Sequence, residues 1–535
     1  KLPLDGPFTL TITLPENVTV NGFFTGRSPA VPPRDISMMP ESWKQDGNVV
    51  TVNIPAGVFP KQAKAWLSTD IMVKAAPGDY TMNITVAADG KKVQSNDFKV
   101  KVYPELVNKT SEIMPLAMWY YTGLDAKYVP AFMKQFMAAG ANAFYSMDGE
   151  RVNGEIQPGT VAELAPQMGT EQGVVFFSGW VLDYAKKLPL PEEFKDLPLT
   201  LQSFIDHPEL GKWALKEYLT FTMGGREHQV IIYDAEAGCV RKDHIEGDLT
   251  EYSLKKFSKE VGADHTLTPD EIFKDYQDQW MWYNCRQTTA IAKLAREVVD
   301  NDFAGAFLKV YSGYEYDFAP YKNLTRRNYS VDWKSLSAEA MPDYVGAGYY
   351  GNRQDVGNTY KVLATNGVTY VPAEMYVENF LTPNIGNLSP ERFAMRLIQV
   401  FMNSGMRGMS FWYAADMDGG ALIAMSEFTK FVLAVEDFAI RGQIDTKAVS
   451  VFPKTEEENV YVLRDTKQAL VVMLNNTDKP KKIRLTLNDF KIKGYTSDLQ
   501  ITNLTTNEKI PAARVITVEV APFSYTLLDI LDDGN

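Results

Sequence analysis

The run His228-Gln229-Val230-Ile231-Ile232-Tyr233-Asp234-Ala235-Glu236-Ala237-Gly238 decides how this chain is read. An apolar stretch ends in two carboxylates, and a glycine breaks it. Asp234 and Glu236 are two residues apart, so on an extended strand they share one face. Two acids therefore stand together at the mouth of whatever that strand helps to build.

Outward from this run the same rhythm repeats. From about residue 112, short apolar strands alternate with helical periods, the pattern of a parallel sheet covered by helices. Eight strands are expected: Ile113 to Tyr121, Ala141 to Asp148, Gly173 to Trp180, the opening run, Phe303 to Tyr311, Tyr344 to Tyr350, Val368 to Glu374 and Gly408 to Tyr413. Eight such strand–helix units in about 330 residues predict a (β/α)8 TIM barrel with insertions. The longest insertion follows strand four. It holds a helical stretch, Leu249 to Val261, and then a helix opened by Thr268-Pro269-Asp270-Glu271 that runs through Trp280 and Trp282 to about Val299. A capping threonine followed by proline is a helix start signal.

Both flanks read differently. Phe8 to Leu14, Asn48 to Ile54, Gly78 to Val86 and Phe98 to Val102 alternate with period two between turn residues. The same holds for Asn459 to Leu463, Ala469 to Leu474, Lys482 to Leu487 and Tyr525 to Ile530. Such runs predict antiparallel β-sandwiches. The expected division is an N-terminal sandwich over 1–110, a catalytic barrel over 111–442 and a C-terminal sandwich over 443–535. The length, 535 residues, suits about three domains.

Composition narrows the function. The net charge of −13 argues against a nucleic-acid partner or an anionic membrane surface. No apolar run of about 18 residues is present, so no membrane span is expected. The opening at Lys1 reads as that of a processed or trimmed chain whose first domain lacks a piece. Aromatic residues reach 12%, and Tyr and Trp, with flat faces and polar edges, suit sugars as well as large cores. The two cysteines, Cys239 and Cys285, are too few for a disulfide framework and read as free thiols. The four histidines have no zinc-ligand spacing, and the Asp416/Asp418 loop has incomplete calcium-ligand spacing, so neither metal nor cofactor is expected. The sequence carries no signal for a particular oligomeric state.

Active residues of such barrels stand at the C-terminal ends of the strands. Those ends carry Trp119 and Tyr120, Asp148, Trp180, Asp234 and Glu236, Glu315, Tyr350, Glu374 and Tyr376, and Trp412 and Asp416. Carboxylates among aromatic platforms point to glycoside hydrolysis. One carboxylic acid protonates the leaving oxygen there, and a second carboxylate acts as nucleophile, base or stabiliser. Neighbouring carboxylates also raise one another's pKa, which keeps a general acid protonated. The plainer readings are an Asp234 that anchors a turn, a Glu374 paired with Arg392 or Arg407, and Trp280 and Trp282 as helix packing.

In architecture and strand-end residues the chain resembles the clan A glycoside hydrolases. Their acid/base glutamate ends strand four and their nucleophile glutamate ends strand seven. Glu236 and Glu374 stand in those two places. Tyr233-Asp234-Ala235-Glu236-Ala237-Gly238 is similar to the β-galactosidase-type Ile-Asp-Asn-Glu-Tyr-Gly, with Ala235 where the clan has an asparagine that contacts the sugar 2-hydroxyl. Trp412 matches the platform tryptophan at the end of strand eight. Asp234-x-Glu236 also resembles the end of the chitinase motif, in which the aspartate holds the substrate's own attacking acetamido group. Only the last two positions match, because Gln229 and Ile232 replace the upstream aspartates.

The resemblance implies a secreted or periplasmic glycoside hydrolase acting on a poly- or oligosaccharide, with cell-surface attachment as a variant. It implies retention of configuration, with Glu236 as acid/base, Glu374 as nucleophile and carboxyl groups about 5 to 5.5 Å apart. Trp119, Tyr120, Asp148, Trp180, Glu315, Tyr350, Tyr376, Trp412 and Asp416 would line the substrate cleft. Two alternatives stay open: a substrate-assisted hexosaminidase or chitinase-like enzyme using Asp234 with Glu236, and a carbohydrate-binding barrel without catalysis.

Overall fold

The computed structural model describes residues 7–26, 43–54, 68–88, 90–107, 109–120, 129–146, 151–152, 155–156, 160–224, 230–236, 240–241, 244–245, 247–312, 324–347, 360–361, 363–365, 367–368, 371, 373–376, 389–412, 417–445, 447–466, 468–488, 490 and 499–532. At the centre is a parallel sheet of eight strands: β1 (Leu116–Tyr120), β2 (Ala143–Ser146), β3 (Glu171–Phe176), β4 (Val230–Asp234), β5 (Phe307–Ser312), β6 (Tyr344–Ala347), β7 (Ala373–Tyr376) and β8 (Met409–Trp412). Hydrogen bonding runs in the order β6-β5-β4-β3-β2-β1-β8-β7, every pairing parallel. The two ends of that order, β6 and β7, lie against each other, so the sheet curls into a nearly closed barrel.

Alternation along each strand divides the barrel wall. Ile231 and Tyr233 of β4 join the large outer core with Phe176, Leu308, Val310 and Phe411. Val230 and Ile232 join a smaller inner core with Trp119, Tyr145, Val175 and Tyr311. The outer core packs against the surrounding helices, among them Pro208–Met223, Gln277–Asp302, Pro390–Asn403 and Gly419–Arg441.

Antiparallel sheets flank the barrel, as the sequence predicts. On the N-terminal side, a five-stranded sheet centred on Phe8–Thr13 and a two-stranded ribbon enclose a core that includes Ile12, Val50 and Val52. On the C-terminal side, six- and three-stranded sheets enclose a second core that includes Val471, Leu485 and Val518. The other face of the six-stranded sheet lies on the barrel, where Phe431 meets Tyr525 edge-on at 5.0 Å and Asn403 Nδ2 donates to Tyr461 Oη at 3.0 Å.

Three expectations change. The helix expected from Thr268 to Val299 is two helices, Pro269–Asp275 and Gln277–Asp302. The break is Tyr276, at φ −131° and ψ 21°, whose ring meets Phe257 edge-on at 6.4 Å. Strand three stops at Phe176, and Trp180 lies in the following helix Ser178–Ala185 instead of on the strand. Glu374 does not close strand seven: β7 runs on to Tyr376, which pairs with Trp412. A periodic pattern marks apolar faces, but it does not mark where a ladder gains or loses its last partner.

Candidate active site

The Asp234-Ala235-Glu236 segment leaves β4 in a fixed course. Ala235 N–H donates to the Tyr311 carbonyl at 2.8 Å, and Ser312 Oγ donates to the Ala235 carbonyl at 3.4 Å. These bonds carry the β4–β5 pairing past the last residue of the strand. The Ala235 side chain is 1% exposed and belongs to the outer core. Alternation then puts positions 234 and 236 on the inner side with Val230 and Ile232. Asp234 is buried, and its Oδ1 accepts the backbone N–H of Glu236 at 3.2 Å. That is an Asx-type turn, in which a short side chain holds the backbone two residues on. Glu236 is half-buried at the carboxyl end of the strand.

Beneath this end the barrel is filled by rings. Trp119 is 1% exposed and touches Tyr145 at 5.5 Å, Tyr311 at 5.2 Å and Trp412 at 5.7 Å between centroids. The edge and tilted geometries suit ring quadrupoles and lock the cluster. Trp412 is half-buried, the more open of the two tryptophans. Trp119, expected to line the substrate cleft, is instead buried in the inner core beside Trp412.

The other expected residues divide. Trp180 is 37% exposed on its helix, with its ring 4.4 Å from that of Phe177. Only the backbone is described at Tyr120, Glu374 and Tyr376, where Glu374 pairs in register with Ser410 and Tyr376 with Trp412. Asp148, Glu315, Tyr350 and Asp416 lie outside the described residues, as does Cys239. Cys285 is buried, 2% exposed. Arg407 donates to the Ala439 carbonyl at 2.5 Å, and the Arg392 guanidinium lies 4.9 Å from the Phe523 ring centre. Trp280 packs a satellite core, as expected for a helix residue, while Trp282 is 40% exposed beneath the Arg326 guanidinium.

Lower in the barrel lie polar groups that no motif marks. Lys309 of β5 is fully buried and donates to Ser410 Oγ at 3.2 Å. Glu171 opens β3. Burial pushes its carboxyl up from the usual range, while the Lys309 charge pulls against that rise. Tyr344 opens β6, and burial, with the nearby Glu171, pushes its hydroxyl up to about 12. The one sequence signal for this layer is a lysine in the middle of the apolar run Leu308-Lys309-Val310. Among the described residues, no group of three or more His, Cys, Asp or Glu could hold a metal ion, and no helix is long and apolar enough to cross a membrane.

No protein-family model and no characterised protein matches the sequence. Among solved structures, the chain is similar to an α-amylase from Anoxybacillus, at 10% identity and a TM-score of 0.42, over 78% of this chain and 92% of that one. It is similar to the α-amylase of Geobacillus thermoleovorans complexed with acarbose, at 11% identity and a TM-score of 0.44, over 80% of this chain and 100% of that one. A family 39 glycoside hydrolase from Bacteroides cellulosilyticus aligns at 13% identity and a TM-score of 0.38, over 97% and 96% of the two chains. The likeness is to α-amylases and other glycoside hydrolases, at low identity.

Proposed function

We propose that the protein is a glycoside hydrolase that cleaves a poly- or oligosaccharide with retention, using Glu236 as acid/base and Glu374 as nucleophile. The observation that carries this reading is the bond from the Glu236 N–H to Asp234 Oδ1 at 3.2 Å. It fixes the backbone of a half-buried glutamate at the carboxyl end of a barrel strand, the end where such barrels do their chemistry. A further carboxylate position lies on β7, in register with Ser410.

In this scheme the Glu236 carboxyl gives its proton to the glycosidic oxygen while the Glu374 carboxylate attacks the anomeric carbon. The C–O bond breaks, the leaving sugar departs as an alcohol, and a glycosyl ester forms on Glu374. Glu236, now ionised, takes a proton from water. The resulting hydroxide equivalent attacks the anomeric carbon and frees Glu374. Two displacements restore the original configuration. Trp412 supplies the aromatic face for a sugar ring.

Asp234 is buried and holds the Glu236 backbone. That favours an anchoring role over direct binding of a substrate acetamido group. The acidic composition and the flanking β-sandwiches fit an enzyme working outside the cytoplasm on carbohydrate. The test is to screen aryl glycosides and plant, algal and mucin glycans, and then to follow the product anomer by proton NMR. Retention supports the reading. Inversion, or clear glycan binding with no cleavage of any substrate, overturns it.

A further inference from the structure

Lys309 lies in the middle of β5, between two outward-packing residues, and is fully buried inside the barrel. Its Nζ donates to Ser410 Oγ at 3.2 Å and lies 4.7 Å from the Tyr145 ring centre and 5.5 Å from that of Trp119. Ring faces and a hydroxyl stabilise an ammonium, and negative charge nearby compensates the cost of burying it. Among the described residues, the titratable positions on the inner side of the surrounding strands are Tyr145 on β2, Glu171 on β3, Asp234 on β4, Tyr344 on β6 and positions 374 and 376 on β7.

These groups differ in what they offer. Glu171 is a weakened counter-ion, because burial favours its neutral form. Asp234 spends one oxygen on the Glu236 backbone. Ser410, which receives the Lys309 hydrogen bond, is the register partner of Glu374. Register partners on adjacent strands stand about 4.8 Å apart on the same face. The ammonium is therefore delivered to the inner-wall neighbour of position 374.

We propose that Lys309 is a positioning residue that keeps the carboxylate of Glu374 ionised from inside the barrel. This rests on the reading of Glu374 as nucleophile, which has to be an anion to attack. The cation acts through space and through Ser410. Lys309 is in register with Ile232, four residues before Glu236 on the neighbouring strand, which distances it from that glutamate, whose acid role requires a proton. One buried charge thereby favours the ionised form of Glu374 more than that of Glu236.

The test needs no substrate. The protein is labelled with glutamate carrying carbon-13 at the side-chain carboxyl, and the Glu374 signal is assigned as the one lost in Glu374→Gln. Its titration midpoint is then read in the wild type, Lys309→Met and Ser410→Ala, with tryptophan fluorescence confirming the fold. The midpoint is expected to rise by about one pH unit or more in Lys309→Met, and by less in the same direction in Ser410→Ala. An unchanged midpoint in folded Lys309→Met overturns the proposal. If that variant does not fold, an unchanged midpoint in Ser410→Ala overturns it. The nucleophile reading fails separately: full activity of Glu374→Gln would end it even if the midpoint shifts as expected.

Discussion

Asp234 Oδ1 accepts the backbone N–H of Glu236 at 3.2 Å, which makes the two acids of strand four one structural unit. The aspartate holds the turn, and the glutamate is what the turn presents. This separates Asp234→Asn from Asp234→Ala. Asparagine keeps an oxygen that can accept the same bond, whereas alanine removes it. Asp234→Ala is expected to lower kcat/KM by about 100-fold through misplacement of Glu236, and Asp234→Asn by about 10-fold or less. Steady-state kinetics of the two variants check this. Equal, complete loss in both would assign Asp234 a direct chemical role instead.

Trp412 is half-buried and meets the buried Trp119 edge-on, at 5.7 Å between centroids. Trp412→Ala is expected to raise KM by about tenfold, the equivalent of about 1.4 kcal/mol of binding, with a smaller change in kcat. Trp119→Ala opens a cavity below the site and is expected to cost about 3–5 kcal/mol of stability. Kinetics on the first variant and denaturant unfolding of the second distinguish platform from core.

An ion pair with a buried carboxylate supports the helix Trp333–Ala340. Arg326 Nε donates to Asp332 Oδ1 at 2.8 Å, and Ser335 N–H donates to Asp332 Oδ2 at 3.0 Å as the N-terminal cap. Burial alone would raise the Asp332 pKa, but the Ser335 and Arg326 hydrogen bonds outweigh it and hold the carboxyl below its usual range. A depressed folded pKa contributes stability above the unfolded value, near 3.9. That contribution is lost as pH falls through the lower folded value. Asp332→Ala removes the helix cap and the Arg326 ion pair and is expected to cost about 1–3 kcal/mol near neutral pH, with the difference from wild type shrinking in acid. Denaturant unfolding at several pH values measures it.

Gly408 leads into β8 at φ +111°, and a β-carbon there would stand 2.4 Å from the Pro115 carbonyl oxygen. Neither the backbone conformation nor the space accepts a side chain. Gly408→Ala is expected to destabilise the barrel by about 2 kcal/mol or more, read as a lower unfolding midpoint at unchanged slope.

The fold was legible because strands buried on both faces leave continuous apolar runs, as Val230 to Tyr233 does, while the flanking sheets alternate. Strand ends were less legible. Trp180 and Glu374 follow or finish apolar runs in sequence, yet one opens into a helix and the other has ladder partners beyond it. The acid pair was legible from its spacing, and an anchoring Asp234 was one of the readings it left open; the bond to the Glu236 N–H that favours it leaves no pattern in the sequence. Lys309 was missed for a related reason. A lysine in a strand reads as a solvated edge, and only the closed ladder shows that it points into a sealed interior.

The most direct test of the Glu236/Glu374 assignment compares Glu236→Gln with Glu374→Gln on two substrates that differ only in leaving group: a 2,4-dinitrophenyl glycoside and the corresponding unactivated glycoside. A good leaving group needs no proton. Glu236→Gln is therefore expected to keep most of its glycosylation rate on the activated substrate and to lose about 100-fold or more on the other. Glu374→Gln is expected to lose both, because no ester can form. Near-wild-type turnover of either substrate by Glu374→Gln would contradict the account.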